Sequence, residues 1–320
     1  MKRIGFYQPH LDIQGTGVSY FDYAFYNELV LKNKSIMFCD KNDHRTHPLA
    51  EKKFKDAVEV VELEGRENMA LLTQACKERE IDALYIQKCG RHDDGRFIDS
   101  IPTFIHVVGV QRDPHGTVYA YVSKWLSEHC SNNELPFVPY IIDLPSIEES
   151  FREQLKIPKD AVVFGRIGGP YGWNIPFVND VVEQILKQKS NYYFLFANTD
   201  RFISHERALF IEPFADLKTK RRFINTCDAM IHARNEGESF GAAVGEFSFC
   251  NKPVITFEGS PERNHIITLG DKGIYYNNKE ALYSILNKFV IDTNKDWNAY
   301  KEFTPQAVMR QFNDIFIAKL

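Results

Sequence analysis

Long apolar runs are missing from this chain. No stretch approaches the roughly 20 apolar residues that a membrane-crossing helix needs. The opening Met1-Lys2-Arg3-Ile4-Gly5-Phe6-Tyr7 has basic residues but not the apolar core of a secretory leader. Cysteine is present without pairing: Cys39, Cys76, Cys89, Cys130, Cys227 and Cys250 are scattered, so no zinc or redox spacing exists. That pattern argues for a reducing compartment, and the expected location is cytoplasmic. A surplus of positive charge is also missing. Lys plus Arg is 39 against 43 for Asp plus Glu, a net charge of −4, which excludes a general nucleic-acid binder. There is no Walker loop, Gly-x-Ser-x-Gly elbow or His-Glu-x-x-His pair, and no short repeat or low-complexity tract. What remains is an ordinary globular balance, 44% apolar and 26% charged, over 320 residues. At roughly 150 residues per domain that predicts two domains.

Short apolar runs alternate with longer amphipathic segments, the pattern of an α/β protein. Strands are expected at residues 4–7, 35–38, 58–63, 83–87, 102–108 and 117–123, with helices at 18–31, 68–79 and 124–131. Residues 136–158 break this rhythm with Pro136, Pro139, Pro145 and Pro158, leaving only a short acidic helix at 147–155. A domain boundary belongs there. The alternation then resumes, with strands at 161–166, 192–197, 208–212, 229–233, 253–257 and 273–276. Its helices are at 175–187, 218–226 and 240–249, and the chain closes with helices at 297–302 and 305–320. The expected division is residues 1–144 with the terminal helix at about 305–320, and residues 145–304. Doubly wound sheets bind ligands beyond the carboxyl ends of their strands, and two facing each other would form a cleft.

The most informative segment is Asp228 to Ile255. A strand ends near Ala233, a polar glycine-containing turn follows, and a helix opens near Phe240 with Phe240-Gly241-Ala242-Ala243, nearly free of bulk. The first N–H groups of a helix lack intrahelical partners and carry partial positive charge, so small residues there let a phosphate approach. Glu238 precedes this helix and Glu246 lies eight residues on, about 12 Å away if every step is helical. Carboxylates only accept hydrogen bonds, which suits sugar and ribose hydroxyls.

This block, Glu238-Ser239-Phe240-Gly241 through Glu246, resembles the Glu-x7-Glu signature of retaining GT-B glycosyltransferases of family GT4. The flanking Ala229–Ala233 and Pro253-Val254-Ile255 strands are similar too. Phe164-Gly165-Arg166-Ile167-Gly168-Gly169 resembles the family's Gly-Arg at the end of a strand, where the arginine meets the diphosphate. Gly15-Thr16-Gly17 resembles the glycine-rich loop after the first strand, close to the transferred sugar and acceptor. Ile105-His106 resembles a strand-end histidine near the donor sugar, with His115 as a competitor for that place. Tyr121–Leu126, Val138–Asp143 and the final helices match the family's layout, so the resemblance spans most of the chain. It is similar to the compact members, including virus-encoded ones, for which the location would be the host cytoplasm.

The resemblance implies a GT-B fold of two doubly wound Rossmann-like domains. It implies transfer of a hexose from a nucleotide diphosphate sugar to a glycan, glycoprotein or other hydroxyl acceptor, with retention and without a required cofactor or metal. GDP-mannose is the first expectation for the donor and UDP-glucose the second. Glu238 would hold the donor sugar and Glu246 the ribose. Arg166 and the backbone around Ser239, Phe240 and Gly241 would take the diphosphate, with Gly15, Thr16, Gly17 and His106 on the opposite wall. The family's lysine, five or six positions beyond the arginine, is absent, since Tyr171 and Gly172 stand there. Arg234 is the candidate replacement. The same absence motivates a rival reading as a non-catalytic nucleotide-sugar-binding subunit, and the architecture admits a nucleotide-sugar epimerase. His92-Asp93-Asp94 and His44–His47 read as solvated turns rather than metal sites. Scattered aromatics permit a homodimer without locating one.

Overall fold

The computed structural model describes residues 1–13 and 15–320. The chain divides into two compact units. Unit 1 comprises Met1–Ile141 with Glu302–Leu320, and unit 2 comprises Ile142–Lys301.

Unit 1 carries β1 (Arg3–Tyr7), β2 (Lys34–Asp40), β3 (Glu59–Leu63), β4 (Ala83–Lys88), β5 (Thr103–Val107) and β6 (Val118–Tyr121). They form one sheet in the order β3-β2-β1-β4-β5-β6, every pair parallel. Parallel strands covered on both faces read as continuous apolar runs, and β4 is buried along its whole length. The connecting helices are α1 (Gly15–Leu29), α2 (Pro48–Ala57), α3 (Met69–Glu78) and α4 (Lys124–Ser131). Side chains start three of them: His47 caps α2, Asn68 caps α3 and Ser123 caps α4 by accepting an N–H from the first turn.

Unit 2 repeats the design with β7 (Val162–Arg166), β8 (Tyr192–Ala197), β9 (Ala208–Ile211), β10 (Ala229–His232), the two-residue β11 (Gly237–Glu238), β12 (Val254–Phe257), the two-residue β13 (Glu262–Arg263) and β14 (Gly273–Tyr276). Its main sheet runs β14-β12-β10-β7-β8-β9, again all parallel, while β11 pairs with β13. Counted from each unit's own first strand, both main sheets have the order 3-2-1-4-5-6. The helices are α5 (Pro176–Gln188), α6 (Leu217–Thr226), α7 (Ala242–Phe249), α8 (Asn264–Leu269) and α9 (Lys279–Asn287). The core is built on α5: its buried Val178, Val181, Val182, Ile185 and Leu186 pack with Phe164, Phe194 and Ile231 of the sheet.

The last helix, α10 (Pro305–Ile315), returns to unit 1. Thr304 caps it and Pro305 occupies its first turn. Phe312 stacks on Tyr23 at 5.2 Å between ring centres, Phe316 lies 5.3 Å from Phe104, and Gln311 donates to the Phe137 carbonyl at 2.6 Å.

Two expected helices are absent. Residues 147–155 form only a turn, with Leu155 N–H bonded to Phe151 O, because α6 takes the neighbouring backbone groups. Asn225 donates to the carbonyls of Ile147 and Glu149, and Thr226 Oγ1 accepts the Phe151 N–H at 2.8 Å. Around residues 297–302 side chains again replace the helical ladder. Asn251 accepts the Trp297 N–H, and Ser248 Oγ bridges Trp297 O and Ala299 N–H. Conversely α2, α8 and α9 form where the sequence pattern assigned no helix. Pro48 and Asn278 supply the start signals of α2 and α9.

Candidate functional site

In unit 2 the strand order reverses between β7 and β10. The chain leaves β7 toward β8 on one side, and β10 opens the run to the other, so the loops leaving the two carboxyl ends diverge. Such a switch point is where doubly wound sheets hold ligands. Both strands end there on a basic side chain, Arg166 and His232.

The turn after β10 delivers Glu238. Gly237 takes a left-handed φ of 80°, and a Cβ there would lie 2.1 Å from the Glu262 carbonyl, so only glycine lets β11 approach β13 this closely. Asn174 holds the same turn from the β7 side, accepting the Asn235 N–H at 2.8 Å and donating to Glu236 at 2.8 Å. Glu238 is about a quarter exposed. Its Oε1 lies 3.1 Å from His232 Nε2 and its Oε2 lies 3.1 Å from Arg234 Nη1. Burial alone would raise this carboxyl. The hydrogen bond from His232, with the charge of Arg234, outweighs it and holds the group at about 2. Glu238 is therefore ionised across the physiological range, with lone pairs left for hydroxyl donors.

Gly241 follows with φ 90° and is the N-cap of α7, and no side-chain oxygen caps that helix. The first N–H groups of α7 thus carry their partial positive charge without a side-chain acceptor. Phe240 is buried, its ring edge-on to Tyr300 and its carbonyl accepting from Asn264. The Ser239 N–H is directed to the Glu262 carboxylate. The helix begins at Ala242, two residues later than expected, so Glu246 sits one turn inside it and the twelve-ångström all-helical spacing does not apply. Glu246 is buried against Lys220 of α6, Nζ to Oε1 2.6 Å.

Arg166 is nearly inaccessible, and its guanidinium is engaged by the protein. It donates to the carbonyls of Asn198 at 2.7 Å, Ala197 at 3.3 Å and Gly169, and to Thr199 Oγ1 at 2.6 Å. Burial pulls it down to about 10, Arg234 adds to that, and Glu238 opposes it. It remains charged. In this geometry it ties the Gly168–Gly172 loop to the end of β8, and a direct seat for a diphosphate is not what its hydrogen bonds describe. Arg234 is the more open cation, 37% exposed beside Glu238 and Glu236. Tyr171 projects from the loop into solvent.

The unit 1 residues stand differently. The expected loop from His10 to Gly17 includes Gln14, which lies outside the described residues. Gly15, Thr16 and Gly17 are the first turn of α1 rather than a loop before it. A Cβ on Gly17 would lie 2.3 Å from the Asp12 carbonyl, whereas one on Gly15 would meet nothing. His106 is wholly buried. Tyr85 Oη lies 2.6 Å from Nδ1, and Nε2 donates to the carbonyls of Val138 (2.9 Å) and Tyr121 (3.2 Å). Burial draws it down to about 4. This corrects the expected wall position: both ring nitrogens are used inside the core. His115 is half-buried and bonded to the Asp113 carbonyl. At the end of β1, Gln8 Oε1 and His10 Nδ1 are buried without a partner among the described residues, and His10 Nε2 lies 3.3 Å from Asp12. His92-Asp93-Asp94 is tied up in ion pairs: Asp93 with Arg91, Asp94 with Lys88 and Arg96.

Sequence comparison returns no matching family model and no matching curated relative. Structural comparison returns solved proteins over the full length. HepE of Anabaena, in complex with UDP-glucose, superposes with a TM-score of 0.70 at 13% identity, covering 100% of this chain and 97% of that one. Sucrose-phosphate synthase of Thermosynechococcus elongatus gives 0.72 at 12% identity, covering 99% of each chain. A Listeria monocytogenes protein described as a UDP-N-acetylglucosamine 2-epimerase gives 0.62 at 11% identity, covering 98% and 96%. The fold is GT-B. Within it, Glu238, Arg234, His232, the start of α7 and the Arg166-held loop gather at the unit 2 switch point. His232, Lys220 and Asn174 were missed from sequence. His232 was the most visible of these, a polar side chain closing an otherwise apolar strand. Among the described residues no group of three metal-ligating side chains assembles, and no helix is long and apolar enough to cross a membrane.

Proposed function

We propose that this GT-B protein is a glycosyltransferase that moves a hexosyl group from a nucleotide diphosphate sugar to a hydroxyl acceptor. The observation that carries the reading is Glu238, an ionised carboxylate at the switch point next to a helix start with no side-chain cap. The donor diphosphate would rest on the first N–H groups of α7, with Arg234 supplying the positive charge that the absent lysine would have given. The sugar hydroxyls would donate to Glu238 and the ribose hydroxyls to Glu246. Arg166 supports the loop beneath the diphosphate and is assigned no contact with it. UDP-hexose now stands ahead of GDP-mannose as donor, because the neighbour HepE carries UDP-glucose. The acceptor, a glycan or glycoprotein, is assigned to unit 1. The unmet acceptor atoms of Gln8 and His10 there suit hydroxyl donors.

Transfer with retention follows from the Glu-x7-Glu resemblance. The bond from the anomeric carbon to the phosphate oxygen breaks, and the acceptor oxygen bonds to the same carbon from the same face. The departing phosphate oxygen receives the acceptor's proton. Positioning and charge stabilisation are the protein's contribution. An epimerase of the same architecture is the second reading, supported by the Listeria neighbour.

Calorimetric titration with UDP-glucose, GDP-mannose and UDP-N-acetylglucosamine tests the donor, and Glu238→Ala tests the site. Saturable binding of one sugar nucleotide, lost together with transfer in folded Glu238→Ala, is expected. Unchanged turnover in that variant sinks the assignment. Conversion of a UDP-sugar to its epimer without acceptor would replace the first reading by the second.

A further inference from the structure

Behind Glu238 lies a row of buried polar groups that the transfer reaction does not itself require. His232 Nδ1 is 2.9 Å from Thr256 Oγ1, and the same hydroxyl is 3.1 Å from His265 Nε2. Thr256, in β12, and His265, in α8, are completely buried, and His232 nearly so. The two imidazole rings are 4.8 Å apart. His265 Nδ1 has no hydrogen-bond partner among the described residues.

The proton positions in this row follow from elementary valence. An ionised carboxylate can only accept, so His232 Nε2 carries a hydrogen toward Glu238. Two arrangements of the rest are then open. If His232 is neutral, Nδ1 is a lone pair, and Thr256 donates its single hydroxyl hydrogen to it. The Thr256 oxygen then accepts from His265 Nε2–H, and His265 Nδ1 is a bare lone pair. If His232 is doubly protonated, its Nδ1–H must donate to Thr256 Oγ1. The Thr256 hydrogen then either goes to His265 Nε2, which forces a hydrogen onto His265 Nδ1, or is left over while the oxygen accepts from both rings. Either way a buried hydrogen has nothing to receive it. Buried donors without partners are the rarer and costlier defect. The unpartnered nitrogen therefore selects the first arrangement, in which every hydrogen points toward Glu238. Burial also draws His265 down to about 3 and keeps it uncharged.

We infer that Thr256 and His265 are positioning residues that act through His232 to hold the Glu238 carboxylate at a fixed rotation for the hydroxyls of the donor sugar. The inference rests on the reading of Glu238 as the donor-sugar residue. Without it, the row would have no role beyond packing. His232 secures one carboxylate oxygen and Arg234 the other, and each oxygen keeps acceptor capacity for one of two neighbouring hydroxyls. Partners behind a side chain fix its orientation in this way, much as outer hydrogen bonds fix metal-bound histidines. Gly241 makes room for it: a Cβ there would be 3.0 Å from the His265 Cβ and 3.3 Å from that of Glu238.

Thr256→Val removes the hydroxyl and keeps the shape, and Thr256→Ser keeps the hydroxyl. Calorimetric titration of each folded variant with UDP-glucose and with UDP separates sugar from nucleotide recognition. The expected result is a roughly tenfold weaker UDP-glucose affinity in Thr256→Val, equal to about 1.4 kcal/mol, with UDP affinity unchanged and the loss restored in Thr256→Ser. Equal affinities for UDP-glucose in wild type and Thr256→Val would overturn the relay while leaving the donor site intact. Failure of the wild type to bind any sugar nucleotide would overturn both. Nitrogen-15 chemical shifts of the unliganded protein give a check that needs no ligand. The relay requires the Nε2–H tautomer at both His232 and His265, and an Nδ1–H His232 would sink it.

Discussion

Lys220 Nζ lies 2.6 Å from Glu246 Oε1, and both side chains are only 10% exposed. A buried pair of this kind contributes little by existing but is costly to break from one side, because the remaining charge is stranded. Lys220→Met should lower stability by about 3–5 kcal/mol. Adding Glu246→Gln to that variant should recover most of the loss. Urea unfolding of the two variants measures this, and a double variant no more stable than the single one would contradict it. If Glu246 also holds ribose, Lys220→Met at low temperature should weaken UDP binding by displacing the carboxylate.

Arg166 distinguishes support from contact. Arg166→Lys loses the planar fork that reaches the Asn198, Thr199 and Gly169 oxygens at once. A loss on the order of 3 kcal/mol is expected, from hydrogen bonds made by a charged group. Weakened donor binding should accompany it. The opposite pattern, unchanged unfolding with a large drop in UDP-sugar affinity, would mean that Arg166 touches the diphosphate directly.

The two wholly buried histidines make stability depend on pH. His106 is drawn from 6.5 to about 4 and His265 to about 3. Between those values and 6.5 the unfolded chain binds protons that the folded chain does not, so stability falls as pH is lowered. The fall spans pH 6.5 to about 4 for His106 and reaches about 3 for His265. The slope is at most about 1.4 kcal/mol per pH unit for each group. Glu238, held at about 2 against an ordinary 4.5, loses its contribution only below pH 4.5. Urea midpoints at pH 7 and pH 5 should differ, and His265→Gln should flatten the difference. An identical dependence in that variant would show that His265 does not titrate this way.

Gly15 and Gly17 should behave unlike each other. Gly17→Ala drives a Cβ to 2.3 Å from the Asp12 carbonyl and should unfold or badly destabilise unit 1, whereas Gly15→Ala meets open space. In a helical first turn, Gly15→Ala should be neutral or stabilising by about 0.4–1 kcal/mol. Thermal melts of both variants decide the matter. Equal effects would restore the reading of the pair as part of one glycine-rich loop.

The doubly wound architecture was legible because parallel strands buried on both faces leave unbroken apolar runs between amphipathic helices. Thus 192–197 and 273–276 match the strands residue for residue. The helices expected at 147–155 and 297–302 were not foreseeable failures. Their backbone partners are Asn225, Thr226, Asn251 and Ser248, distant in sequence and adjacent only after folding. The pair Glu238 and Glu246 was visible in the sequence, but not their partners. His232 stands six residues before Glu238, yet Thr256, His265 and Lys220 come from other elements, and no local spacing announces them. His106 was legible as a strand-end histidine but not as a core group, because its Tyr85 and Val138 partners are set by tertiary packing.

Unit 1 is closed by residues that come after all of unit 2. Phe312 and Phe316 complete an aromatic core that Tyr23, Tyr85 and Phe104 begin. On a ribosome, the first sheet must therefore wait with that flank uncovered while some 160 intervening residues, Ile142–Lys301, are made and can fold by themselves. The first unit begun is the last one finished. A stalled or truncated chain would present a completed unit 2 joined to a sticky, unfinished unit 1, the form in which a chaperone would meet it.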